Sequence, residues 1–145
     1  MKIHPLLAAT IFAVGACSAS PAEHRVNLQL TNTGPEPIDC KIAYGHWVEQ
    51  ALGRLDPGMT FDIALRQQAS DHALFVYRDD MQRRLMIENI LCGRPGNGYA
   101  TNGQIDLAAL RRSHVAYVEA TCAAPTGPGR VSCQITDLAA GEQRP

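Results

Sequence analysis

The chain has 145 residues, with 13 lysines and arginines against 14 acids and a net charge of −1 when its histidines are neutral. That length holds one domain, and the even charge balance excludes the strongly basic face that a nucleic-acid binder needs. Lys2 and Lys41 are the only lysines, and the densest basic spots, Arg83-Arg84 and Arg111-Arg112, read as solvated surface.

The first residues carry an address. Lys2 supplies an early positive charge, and residues 6–16 are uncharged and mostly apolar, the pattern of a secretory signal. The run is too short for a bilayer core of ~30 Å, which takes about 20 helical residues. Residues 1–16 are therefore expected to be a processed signal peptide. Val14-Gly15-Ala16-Cys17 places a branched apolar residue and two small ones before a cysteine, and this resembles the lipobox of bacterial lipoproteins. The resemblance implies a lipid anchor on the Cys17 sulfur (diacylglycerol, with palmitate-type acylation) and residues 17–23 as the lipidated cysteine and its linker. Ser18, where the family's inner-membrane signal has Asp, implies the outer membrane, facing periplasm or surface. Ordinary signal cleavage, giving a soluble periplasmic or secreted product, is the alternative address.

Residues 24–32 read as the first strand, with Val26, Leu28 and Leu30 on one face and Asn27, Gln29 and Thr31 on the other. Thr33-Gly34-Pro35-Glu36-Pro37 is a turn that no helix could cross. Ile38, Cys40, Ile42 and Tyr44 then alternate with Asp39, Lys41 and Ala43 as a second strand, which Gly45 breaks. Residues 47–55 form a less regular strand before Asp56-Pro57-Gly58. Phe61, Ile63 and Leu65 alternate in the next, and 72–77 with 83–91 suggest a hairpin. Residues 92–103, rich in glycine, form a long loop. The segment 105–112 carries the only helical pattern, with Asp106 placed to cap its start and Arg111-Arg112 suited to its C-terminal end. Two further alternating runs, 116–122 and 131–136, flank the turn Ala124-Pro125-Thr126-Gly127-Pro128-Gly129.

Short strands at this spacing, punctuated by Pro and Gly, predict an all-β domain over 24–138. The expected fold is a small disulfide-stabilised β-sandwich, Ig-like or transthyretin-like, with one short helix near 105–112 and a flexible tail over 139–145. With Cys17 assigned to lipid, Cys40, Cys92, Cys122 and Cys133 remain, and four cysteines allow three pairings. Alternation chooses among them. If Cys122 faces Cys133, then Ala120 meets Ile135 and every apolar residue of the two runs points one way, which a one-residue slip would destroy. Cys122–Cys133 is thus predicted, with Cys40–Cys92 by elimination.

Candidate chemistry is sparse. The glycines between Gly93 and Gly103 lack the strand–loop–helix setting of a phosphate loop, because Pro95 interrupts them and the helical pattern comes late. No Cys-x-x-Cys occurs and no histidine sits at ligand spacing from another, so no metal and no cofactor are expected. Ser113 beside His114, and Asp71 beside His72, are poor catalytic pairs, since strand neighbours point to opposite faces. The lone tryptophan, Trp47, suits a core position or an exposed anchor. The expectation is a non-enzymatic envelope lipoprotein that meets a protein partner, as an accessory, assembly or inhibitor component. Trp47 and the loop residues Arg94, Asn97 and Tyr99 are its candidate contacts. In architecture such a protein resembles transthyretin-like lipoproteins of contractile secretion systems and periplasmic lysozyme inhibitors. Neither family's motif is present, so no residue role follows. A small periplasmic hydrolase and a carbohydrate-binding module using Trp47 are the alternatives.

Overall fold

The computed structural model describes residues 22–45, 48–79 and 83–140. Cys17 and Trp47, the signal-peptide and lipid-anchor segments, and the last residues of the expected tail lie outside them. Among the described residues, nine strands and one helical turn follow in chain order: β1 Glu23–Asn32, β2 Ile38–Tyr44, β3 Val48–Leu55, β4 Thr60–Gln68, β5 Leu74–Tyr77, β6 Arg84–Gly93, α1 Gly98–Thr101, β7 Gly103–Gln104, β8 Val115–Ala123 and β9 Ser132–Ala140. The domain is all-β, a small disulfide-stabilised sandwich. Its first strand begins at Glu23, inside the expected linker, and its last runs to Ala140, so Ala139 and Ala140 belong to the sheet rather than to a tail.

The strands form one sheet in the order β3-β2-β6-β5-β4-β1-β8-β9, with β7 beside β6. Strand β6 serves both halves. Its first part pairs with β5 and its later part with β2, and a bulge lies near the start of the β2-paired part. Ala43 faces Asn89 and Tyr44 faces Ile87, leaving Glu88 as the extra residue. A bulge bends its strand, and here it carries the chain from one half of the sandwich to the other. The two bulged carbonyls are not wasted: Arg111 donates from Nη2 to Ile87 O at 2.8 Å and to Glu88 O at 3.2 Å.

Alternation explains the core. Val26, Leu28 and Leu30 of β1, Leu65 of β4, and Val118 and Ala120 of β8 face Ile38, Ile42 and Tyr44 of β2 and Ile90 of β6, all almost fully buried. Cys40 faces Cys92 across β2 and β6, and Cys122 faces Cys133 across β8 and β9, in the register that alternation predicts. Both pairs are bonded, each with Cα atoms 4.1 Å apart. The two bridges touch: the sulfurs of Cys92, Cys122 and Cys133 lie within 4.8 Å of one another, joining the two halves at the core.

The segment 105–112 is not an α-helix. It buries Ile105, Leu107 and Leu110 completely or nearly so, yet it closes as successive turns, with Leu110 N donating to Leu107 O and Arg112 N to Ala109 O. Asp106 does cap it, accepting from Ala108 N at 2.9 Å. The reason lies on β4. Fully buried Gln67 donates to Leu110 O at 2.5 Å and Ser113 O at 3.0 Å, and accepts from Val115 N at 3.2 Å. Those backbone groups are satisfied sideways into the sheet, and a run this short gains too little from helix formation to compete.

Of the arginine pairs, Arg83, Arg111 and Arg112 lie exposed as expected, and Arg84 is partly covered. Arg84 and Arg66 both bridge to Glu23, at 3.0 and 3.3 Å, and Tyr77 donates to the same carboxylate at 2.8 Å. One acid at the start of β1 thereby ties β4, β5 and β6 together.

Candidate partner-binding surface

The helical turn of the domain lies in the glycine-rich loop, and its local chemistry is legible. Asn97 N donates to Arg94 O at 3.1 Å, closing a turn with Pro95 and Gly96 at its centre. Gly96 has φ +73°, the left-handed value that the third position of a type II turn requires and glycine adopts freely. Thr101, nearly buried, then fastens the loop from within. Its Oγ1 accepts from Arg94 N at 2.8 Å and donates to Asn97 O at 2.7 Å, and its carbonyl accepts from Val131 N at 2.8 Å. The Cys40–Cys92 bridge holds the loop's root against β2.

This frame holds Tyr99 out into solvent at 83% exposure. Lys41, pointing outward from β2, places Nζ 4.5 Å from the ring centroid while its ammonium binds Glu49 of β3 at 2.8 Å. On one side of the ring is a cleft of about 350 Å³ lined by Asp39, Lys41, Ala51, Arg94, Gly98 and Asn102. On the other is one of about 370 Å³ lined by Ala43, Tyr44, Val48, Glu49, Glu88 and Asn89. Tyr44 forms part of the second cleft; its hydroxyl donates to Gln50 Oε1 at 2.6 Å, and burial raises the phenol above its ordinary pKa. Asp39 and Glu88 form no ion pair among the described residues, so this face carries uncommitted negative charge beside an exposed aromatic.

The four expected contacts separate here. Tyr99 is the centre of the surface, and Asn97 lies exposed at the N-terminal edge of α1 with no side-chain cap bond. Arg94 has another task. Its Nη2 donates to the carbonyls of Pro125 and Gly127, and Nε to Gly129 O at 3.4 Å, so the guanidinium cradles the β8–β9 turn. It also lines the cleft beside Tyr99. Trp47 lies outside the described residues. Sequence reading missed Asp39, Lys41, Glu49 and Glu88. A signal for two of them existed: once Cys40 is paired with Cys92, outward alternation on β2 must set Asp39 and Lys41 beside the loop that follows Cys92.

Three of the histidines, taken in sequence as unrelated, meet at the far end of the core. The rings of His24 and His114 have centroids 3.6 Å apart, and His72 is near enough to act electrostatically on His114. The close sulfur triplet of Cys92, Cys122 and Cys133 has the spacing of a metal site, but its members are oxidised to disulfides, and the thiolate is the ligand form. The chain matches no protein-family model, no curated protein and no solved structure.

Proposed function

We propose that this chain is a non-enzymatic lipoprotein of the bacterial envelope, anchored through Cys17, that offers the Tyr99 face of its β-sandwich to a protein partner in an accessory, assembly or inhibitory role. The observation that carries the reading is Tyr99 itself. An aromatic ring 83% exposed, on a loop fastened by Cys40–Cys92, Thr101 and Arg94, costs little conformational entropy to immobilise and suits a binding hot spot. The flanking clefts receive partner side chains, and Asp39 and Glu88 favour a partner with basic groups at its rim. The address rests on the signal-like residues 1–16 and on Cys17, and two disulfides fit an oxidising compartment.

Two experiments separate address from contact. Cys17→Ser should release the protein into the soluble envelope fraction or leave it uncleaved, and a wild-type mature N-terminus at Ser20 or Glu23 would end the lipoprotein reading. A photo-crosslinking amino acid at position 99, in the intact anchored protein, should capture one discrete protein species. The same probe at Gln134, exposed on β9, should not. Equal capture from both positions would remove the Tyr99 face as the docking site.

A further inference from the structure

The end of the sandwich at which β1 begins is closed by imidazoles. His24 stands on the inward face of β1 opposite Gln67 of β4, His72 lies in the β4–β5 turn, and His114 precedes β8. His24 Nε2 lies 3.0 Å from Val115 O; an N–H there fixes the tautomer and leaves Nδ1 as a bare lone pair. Nδ1 of His24 and Nδ1 of His72 are both buried without a hydrogen-bond partner. His72 also has φ +59°, in a turn held by His72 N to Gln68 O at 2.9 Å and by Gln68 N to Ala73 O at 3.0 Å.

We propose that His24, His72 and His114 form an acid-sensitive clasp, closed while the rings are neutral and opened by protonation, which frees the end of the 105–114 segment from β1 and the β4–β5 turn. Three features make it respond to acid. The buried Nδ1 atoms of His24 and His72 face no hydrogen-bond partner, so the site holds no polar group to receive added charge. A second proton places two cations on rings 3.6 Å apart. Among the described residues, the carboxylates of the packed elements are engaged elsewhere. Glu23 on β1 is engaged by Arg66, Arg84 and Tyr77, and Asp71 in the turn accepts from Ala73 N. The remaining charged groups of the packed elements are the cations Arg25, Arg66, Arg111 and Arg112 and the acids Asp62, Asp106 and Glu119; Arg25 bonds Asn27, Arg111 and Arg112 bond backbone carbonyls, and the acids accept from Gln29, Ala108 N and Tyr117. Burial first, then the neighbouring His24 and His72, hold the His114 imidazole below its ordinary 6.5.

The clasp is distinct from the Tyr99 face and does not depend on that reading. Its test is native-state amide exchange on the mature protein at about pH 7.5 and about pH 5, corrected for the intrinsic pH dependence of exchange. Amides of residues 111–115 and 69–73 should exchange at least about tenfold faster at the lower pH, given the Coulomb repulsion of two such close charges. Those of Leu28, Leu65 and Ile90 should rise less, by no more than the fall in global stability. In His114→Gln, which removes the close ring pair, the acid-dependent increase should be markedly smaller. An equal increase in that variant, or none in the wild type, overturns the clasp. Should His114→Gln fail to fold, the wild-type imidazole titration followed by NMR decides: His114 must titrate below 6.5, and a value at or above it overturns the proposal.

Discussion

Gly103 and Val131 leave each other no room for a side-chain carbon: a β-carbon on Gly103 would lie 2.1 Å from the Val131 carbonyl oxygen. The contact is where β7, leaving the Tyr99 loop, meets the chain entering β9, beside the bond from Val131 N to Thr101 O. Backbone against backbone cannot relax as a flexible side chain would. Gly103→Ala should therefore destabilise the domain by about 1–3 kcal/mol, the usual range for overpacking a tight site. Urea unfolding checks this, and a midpoint equal to wild type would show that the two backbones separate freely.

The two disulfides should contribute unequally. In the chain-entropy account, the Cys122–Cys133 loop of separation 11 and the Cys40–Cys92 loop of separation 52 are worth about 3 and about 4 kcal/mol respectively. Replacing each pair by alanine and measuring unfolding should reproduce that order. Peptide mapping without reduction should recover both bridges and no Cys40–Cys122 or Cys40–Cys133 peptide.

Gln67 is the polar keystone of the segment 105–114. Gln67→Leu keeps much of the volume but strands Leu110 O, Ser113 O and Val115 N, which it satisfies in the fold. A buried polar group left unpaired costs about 1–3 kcal/mol, so the variant should lose at least about 2 kcal/mol. Its loss should be visible as a lower urea midpoint at unchanged slope. A neutral outcome would mean that water reaches those groups.

How much was legible follows from which interactions are local. Strand positions, the inward faces of β1 and β2, and the Cys122–Cys133 register were readable because a period of two and one turn determine them together. The 105–112 segment misled because its apolar residues are indeed buried, while the groups that decide its conformation, Gln67 and the Ile87–Glu88 bulge, are supplied from distant strands. Arg94 lines the cleft as a contact candidate, but nothing near it in sequence reveals that its guanidinium also holds the Pro125–Gly129 carbonyls. The histidine cluster was invisible for the same reason: His24 reaches the β8 backbone across a sequence separation of 91, and no spacing rule spans that.

Acid should weaken the whole domain through His114. Its pKa in the fold lies below 6.5, so on acidification the unfolded chain takes up this proton before the folded one does. The stability it contributes is full above about pH 6.5 and drains away as the pH falls from there toward the folded value, levelling off below it. Thermal melts across that window should show a midpoint falling with pH, and a smaller fall in His114→Gln.

If Tyr99 anchors a protein partner, truncating its ring must weaken that contact. Once crosslinking at position 99 has identified that partner, the affinity of wild type, Tyr99→Ala and Gln134→Ala for it is the most direct measurement. A hot-spot aromatic should cost at least about 2 kcal/mol on truncation, roughly a thirtyfold weaker Kd, with Gln134→Ala unchanged and both variants melting like wild type. Wild-type affinity in Tyr99→Ala, or an equal loss in both variants, would contradict the account.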